Sequence, residues 1–298
     1  MKKVGLMVVV WVVVGGVLLA NSLIATETEV SFFHFGQRVV GILTLPEPVY
    51  DAVPAILILH GFTGQKNEMD VAGTNEAMFE MTARLFAEHG IASLRIDFRG
   101  SGDSDGKWED TTFSSQISDA HAAISFMESI PEIDPLRIGV LGFSQGGLVA
   151  ACTAARDWRV ATTILWAPVA IPAFTYSQLL GTDTVLKALE LEAEDSIDAT
   201  LPWGAVTTLK KPFYNELFLI NPIAEIIDYY GPLMVVIGIR DDVVFPQPHA
   251  GQAFMDHHYG WRKLVQLDTD HMFGIFGGPD ILQEAIYKAI DWVYVTLP

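Results

Sequence analysis

From Ala55 onward the chain keeps a regular beat in which short apolar runs alternate with longer amphipathic stretches. Ala55–Leu59, Ile91–Ile96, Arg137–Leu141, Val160–Trp166, Leu233–Ile237 and Leu264–Leu267 read as strands. Residues 75–89, 114–129, 147–156, 247–258 and 280–295 read as helices. Strands separated by helices return to the sheet in the same direction, which implies a mostly parallel sheet covered on both faces. Two further β-like runs, Glu29–Phe35 and Arg38–Leu45, precede this beat. Gly36-Gln37 between them predicts a hairpin turn, and Pro46 and Pro48 are expected to end the second run. The fold class is therefore α/β, a mostly parallel central sheet flanked by helices and led by an antiparallel hairpin.

One segment departs from the beat. Between Pro168 and about Asp228 no strand–helix rhythm is evident, and the segment is rich in aromatics (Phe174, Tyr176, Trp203, Phe213, Tyr214, Phe218) and in acids from Glu190 to Asp198. A structureless loop of that length does not suit a compact domain, so a small cap inserted over residues 168–228 is the expectation. The organisation expected is a leader over residues 1–25 and one domain over residues 26–298 that carries this cap.

The leader is read from its composition. Lys2 and Lys3 precede an apolar run from Val4 to Ala20, with small residues following to Ala25. A basic start, an apolar stretch and small residues describe a secretory signal, and an exported protein, secreted or periplasmic. The apolar stretch exceeds the usual roughly 7–15 residues, so an uncleaved membrane anchor competes with cleavage, and a buried core segment is the third reading. Eighteen basic against 36 acidic residues give a net charge of −18, which repels phosphate backbones and argues against a nucleic-acid partner. A single cysteine, Cys152, excludes an internal disulfide; in its Ala-rich stretch it reads as a small buried thiol.

The chemistry enters at Gly142-Phe-Ser-Gln-Gly146, which follows one strand and opens the next helix. The five-residue pattern alone is short enough to arise by chance in a glycine-rich chain. Between a strand and a helix it describes a cramped turn, where glycines spare the neighbouring backbone and Ser144 is exposed above the sheet. A serine hydroxyl is a poor nucleophile until a histidine takes its proton, and the histidine needs a carboxylate to fix its tautomer. The strand Leu233–Ile237 runs into Asp241 and Asp242, and the strand Leu264–Leu267 runs into His271. Both therefore sit at carboxyl ends of strands, where catalytic groups of open α/β sheets gather, and in the order nucleophile, acid, base. Asp241 is preferred to Asp242 as the acid; Asp268 and Asp270 lie too close in sequence to His271. Two backbone N–H groups are needed for the developing oxyanion. Gln145, next to the nucleophile, should supply one, and Phe62 in the loop His60-Gly-Phe-Thr-Gly64 the other. His60 itself reads as a hydrogen-bonding scaffold residue.

Taken together, His60–Gly64, Asp97-Phe-Arg-Gly-Ser-Gly-Asp-Ser-Asp-Gly-Lys-Trp-Glu-Asp110, Ser144-Gln-Gly-Gly147, Gly231-Pro232, Gly238-x-x-Asp241 and Asp270-His271 resemble the cinnamoyl (feruloyl) esterase group of α/β-hydrolases. The resemblance runs from about residue 28 to 297 and is weakest in the cap. It implies the α/β-hydrolase fold and a cofactor-free, metal-free ester hydrolase. Its triad would be Ser144, Asp241 and His271, with Phe62 and Gln145 as oxyanion donors and a cap shaping the pocket. Phe143 and Ser101 stand where many relatives have histidine. The expected activity is hydrolysis of a small-molecule ester, short-chain or of hydroxycinnamate type, through an acyl-enzyme. A peptidase or amidase of the same fold and a non-catalytic binding protein on a hydrolase scaffold are the rival readings.

Overall fold

The computed structural model describes residues 24–298. Among them eight strands build one sheet: β1 (Ile24–His34), β2 (Gln37–Glu47), β3 (Val53–Leu59), β4 (Ala92–Ile96), β5 (Ile133–Phe143), β6 (Thr162–Trp166), β9 (Leu233–Gly238) and β10 (Arg262–Leu267). Their spatial order is β1-β2-β4-β3-β5-β6-β9-β10. β1, β2 and β4 pair antiparallel, and from β4 to β10 every neighbour is parallel. Helices α1 (Met78–Glu88), α2 (Phe113–Met127), α3 (Gln145–Arg156), α8 (His249–His257) and α9 (Asp280–Thr296) cover the two faces.

The pleat of β3 shows how both faces are filled. Ala55, Leu57 and Leu59 pack into the core under α2 and α3, while Ile56 and Ile58 pack into the other core, with Phe79 and Phe86 of α1 and Ala285 and Trp292 of α9. A strand buried on both sides has no polar face, hence the continuous apolar runs of the sequence. The chain passes from β3 to β4 on one side of β3 and then to β5 on the other. That reversal opens a crevice at the carboxyl ends of β3 and β5, the place where such sheets receive ligands.

Between β6 and β9 the chain leaves the sheet. It forms α4 (Pro172–Leu180), α5 (Thr182–Leu189), the antiparallel hairpin β7 (Ser196–Thr200) and β8 (Val206–Lys210), α6 (Lys211–Leu219) and the single turn α7 (Pro222–Glu225). These pieces are too short to establish a helical or strand period, which is why the sequence showed none there.

Three local expectations are corrected. The hairpin turn is Phe35-Gly36, both with positive φ (48° and 76°), and Gln37 already pairs with His34 in β2. Pro46 does not end its strand: β2 continues to Glu47, because β4 partners it only over Gly41–Thr44 and a residue without an N–H is tolerated beyond. Helix α3 begins at Gln145 rather than Gly147, since the glycines belong to its first turn. The leader expected over residues 1–25 lies outside the described residues except for Ile24 and Ala25, which open β1. Among the described residues no helix is long and apolar enough to cross a membrane.

Candidate active site

The serine sits where β5 turns into α3, and the turn leaves no room for side chains on either side. A Cβ on Gly142 would lie 2.0 Å from the carbonyl oxygen of Gly146, and one on Gly146 would lie 2.2 Å from that of Leu59. Ser144 takes φ 55° and ψ −116°, a conformation costing a non-glycine residue of order 1–3 kcal/mol. The sheet fixes it there: its N–H donates to Trp166 in β6 (2.9 Å), and its carbonyl accepts from Val169 (3.1 Å).

The expected acid and base, Asp241 and His271, stand on the loops after β9 and β10. Beyond β9, Gly238 lets two loops touch, since a Cβ there would meet the carbonyl oxygens of Asp270 (2.4 Å) and Thr269 (2.5 Å). This brings Asp241 to His271, whose Nδ1–H donates to Asp241 Oδ2 at 2.8 Å. Nε2 is thereby left as the acceptor for the Ser144 hydroxyl, 3.0 Å away. Asp241 Oδ1 accepts from the N–H groups of Val243 (2.9 Å) and Val244 (2.8 Å), so the carboxylate cannot swing away from the imidazole. Ser144, Asp241 and His271 are all buried. The structure places Asp242 in solvent, Asp268 against Arg240, and Asp270 on the N–H groups of Met272 and Gly274. None of these three carboxylates reaches His271.

Of the two expected oxyanion donors, Gln145 follows the serine directly and Phe62 follows Gly61, where a Cβ would lie 3.4 Å from Ser144 Cβ. Gln145 is the first residue of α3, so its N–H is one of the helix's orphan donors, and the backbone N–H of Phe62 takes no acceptor among the described residues. His60 is fully buried; its Nδ1–H donates to the carbonyl of Gly61 (2.9 Å) while Nε2 accepts from the N–H of Phe98 (3.3 Å). Burial pulls its pKa down to about 4, so it is a neutral strut between two loops. Among the described residues no three His, Cys, Asp or Glu side chains converge as a metal ion would require.

The family model described as "Alpha/beta hydrolase family" matches residues 56–280. The chain belongs to the α/β-hydrolase family. Its fold superposes on that of Est1E from Butyrivibrio proteoclasticus, solved with ferulic acid bound, with a TM-score of 0.73 at 24% identity over 90% of this chain and 98% of that one. The α/β-hydrolase GrgF from Penicillium sp. sh18 gives a TM-score of 0.71 at 22% identity, covering 91% of this chain and 99% of that one. At such identities the likeness is one of fold. Closer in sequence are the polyketide transferase ATR5 of Stachybotrys chlorohalonatus, 34% identical over 39% of this chain and 36% of that protein, and the quorum-quenching protein AidA of Acinetobacter baumannii, 33% identical over 50% of this chain and 46% of that protein. The chain thus spans less than half the length of either relative.

Several residues around this site were given no role by the sequence alone. Lys66, buried behind the Phe62 loop, donates to Asp97 through its backbone N–H (2.7 Å) and its Nζ (2.8 Å), and Nζ also reaches Asp103 (2.5 Å). Glu68 is held in a left-handed conformation (φ 60°) with its carboxyl group inside the same loop, accepting the N–H of Gly61. Burial pushes its pKa up to about 7, the hydrogen bond opposing. Ser101 is buried with a hydroxyl that finds no partner among the described residues. In a linear sequence these read as ordinary loop charges and hydroxyls, and only the folded loop shows what they face.

Two openings border the site. An apolar cavity of about 320 Å³ is lined by Ala170, Ile171, Phe174, Val244, Phe245 and His249, between the cap and the Asp241 loop. A polar groove of about 620 Å³ runs past Thr63, Ser101, Lys107, Trp108, Thr207 and Thr208.

Proposed function

We propose that this α/β-hydrolase is a serine-dependent carboxylic ester hydrolase acting through an acyl-enzyme on short-chain or aromatic esters. The observation that carries the reading is the hydrogen-bonded line Asp241–His271–Ser144, at 2.8 and 3.0 Å. In it Ser144 Oγ attacks the ester carbonyl and passes its proton to His271 Nε2. The N–H groups of Phe62 and Gln145 hold the oxyanion, and Asp241 stabilises the imidazolium. His271 then gives the proton to the leaving alcohol, and water repeats the sequence on the acyl-enzyme. The fold shared with ferulate-bound Est1E and the apolar cavity between the cap and the Val244 end of the Asp241 loop support an aromatic or short aliphatic acyl group.

The test is Ser144→Ala. Hydrolysis of p-nitrophenyl butyrate should fall by about 10⁴-fold or more, and a fluorophosphonate probe should label the wild type and not the variant. Equal labelling of the two proteins sinks the assignment.

Acyl transfer is the second reading, favoured by relatives from Stachybotrys chlorohalonatus and Penicillium sp. that are named polyketide transferases. It uses the same acyl-enzyme with an alcohol in place of water, so adding an alcohol acceptor to the assay and weighing ester product against acid separates the two. The proposal also includes export under the N-terminal leader, which N-terminal sequencing of the exported protein tests.

A further inference from the structure

Helix α4 of the cap reaches the oxyanion hole through one side chain. The hydroxyl of Tyr176 donates to Gln145 Oε1 in a short hydrogen bond. Gln145 Nε2 in turn donates to Gln116 Oε1 of α2 (2.7 Å), and Gln116 Nε2 donates to Thr111 Oγ1 (3.2 Å). Tyr176, Gln145 and Gln116 are fully buried, so each polar group depends on its neighbour for a hydrogen-bond partner. Burial pushes the Tyr176 pKa well above the ordinary range, so it remains a phenol and a donor.

The same ring lies edge-on to Phe62, with centroids 5.2 Å apart, and packs on Phe213 (5.2 Å) and Phe113 (5.7 Å). Phe62 and Gln145 are the two residues assigned as oxyanion donors in the ester-hydrolase reading, and Tyr176 is one side chain that touches both. The Gln145 N–H belongs to the peptide whose carbonyl, that of Ser144, accepts from Gly147 (3.0 Å) and Val169 (3.1 Å), and the anchored Gln145 side chain braces that same peptide from the cap side. Phe174 and Thr175, which precede Tyr176 in α4, line the apolar cavity. The helix that meets the contents of that cavity is thus bonded to the residue beside the nucleophile.

We propose that Tyr176 is a positioning residue of the oxyanion hole, through which cap helix α4 holds the donors at Gln145 and Phe62 in line with the reacting carbonyl. The proposal rests on the ester-hydrolase reading. It gives the cap a role in rate as well as in selection.

Tyr176→Phe keeps every ring contact and removes only the hydroxyl. The expected result is a fall in kcat of about 10- to 30-fold, smaller than the roughly 10²–10³ for losing a donor outright. The factor should be the same for p-nitrophenyl acetate and butyrate, with KM within about twofold and the melting temperature recorded as the folding control. A residue that merely packed the cap would move KM or the melting temperature and leave kcat in place. Gln116→Met cuts the chain from its other end and should give the same pattern. The double variant should lose little more than either single one, because both break one line of bonds. If Tyr176→Phe fails to fold, Gln145→Met, which removes the acceptor of the Tyr176 hydroxyl and keeps the backbone N–H, decides by the same criteria. A folded Tyr176→Phe protein with wild-type kcat on both esters overturns the proposal, while loss of activity and fluorophosphonate labelling in Ser144→Ala would leave the ester-hydrolase reading standing. Activity surviving in Ser144→Ala removes both.

Discussion

The nucleophile turn and the cap are built on opposite terms. At the turn, conformation comes from the sheet: Ser144 is pinned between β5 and α3, bonded to Trp166 of the next strand, and crowded on both sides where only glycine fits. In the cap, helices of eight or nine residues and a hairpin of two five-residue strands hold their places by side-chain packing, with Tyr176, Phe213 and Tyr214 fully buried. Backbone rules specify a position to a fraction of an ångström. Packing of short pieces tolerates substitution and drift. The difference teaches that Ser144, Asp241 and His271 are set by the sheet and its loops rather than by the cap, with Tyr176–Gln145 as a bond between the two regions.

The largest effect that would break this comparison lies on the sheet side. Asp241→Asn should lower kcat by about 10⁴-fold while Asp242→Asn, in solvent one residue further along, changes it less than about twofold. Equal effects of the two on p-nitrophenyl butyrate hydrolysis would mean that the loops after β9 and β10 are not set as the 2.8 Å bond to His271 implies.

A smaller effect concerns Glu68, inside the Phe62 loop. Its folded pKa of about 7 stands above the ordinary 4.5, so between those values the folded protein holds a proton that the unfolded chain has released. Stability should therefore decline as pH rises from about 4.5 to 7 and stay at the lower level above. Glu68→Gln, which keeps an acceptor for Gly61 and cannot ionise, should remove a decline on the order of 3 kcal/mol. Denaturant melts at pH 5 and pH 8 check it; an unchanged pH difference in the variant counts against burial of the charge.

The smallest expected effect belongs to the cap. Phe174→Ala, in the wall of the apolar cavity, should shift kcat/KM between acetate and butyrate esters by about tenfold, mainly through KM. A uniform fall in kcat instead would erase the division between holding and selecting.

Much of the scaffold was legible because it obeys local periodicity. A strand buried on both faces must be apolar throughout, so Ala55–Leu59 and Leu233–Ile237 announce themselves. The serine turn was legible for a steric reason, since Gly142 and Gly146 stand where any Cβ would strike backbone. Asp241 and His271 followed from strand ends and chain order. The turn at Phe35-Gly36 was missed by one residue because a positive φ at phenylalanine has no signature in composition.

What the sequence alone determined, then, is the sheet, the nucleophile turn and the order of acid and base, all properties of backbone and near neighbours. Tertiary structure alone decided what meets across long separations. Tyr176 reaches Gln145 over 31 positions, Lys66 reaches Asp97 over the same number, and Glu68 turns back into its own loop to take the N–H of Gly61. Hydroxyls, amides and loop carboxylates satisfy themselves with whatever partner the fold supplies, so their roles are written in space rather than in spacing.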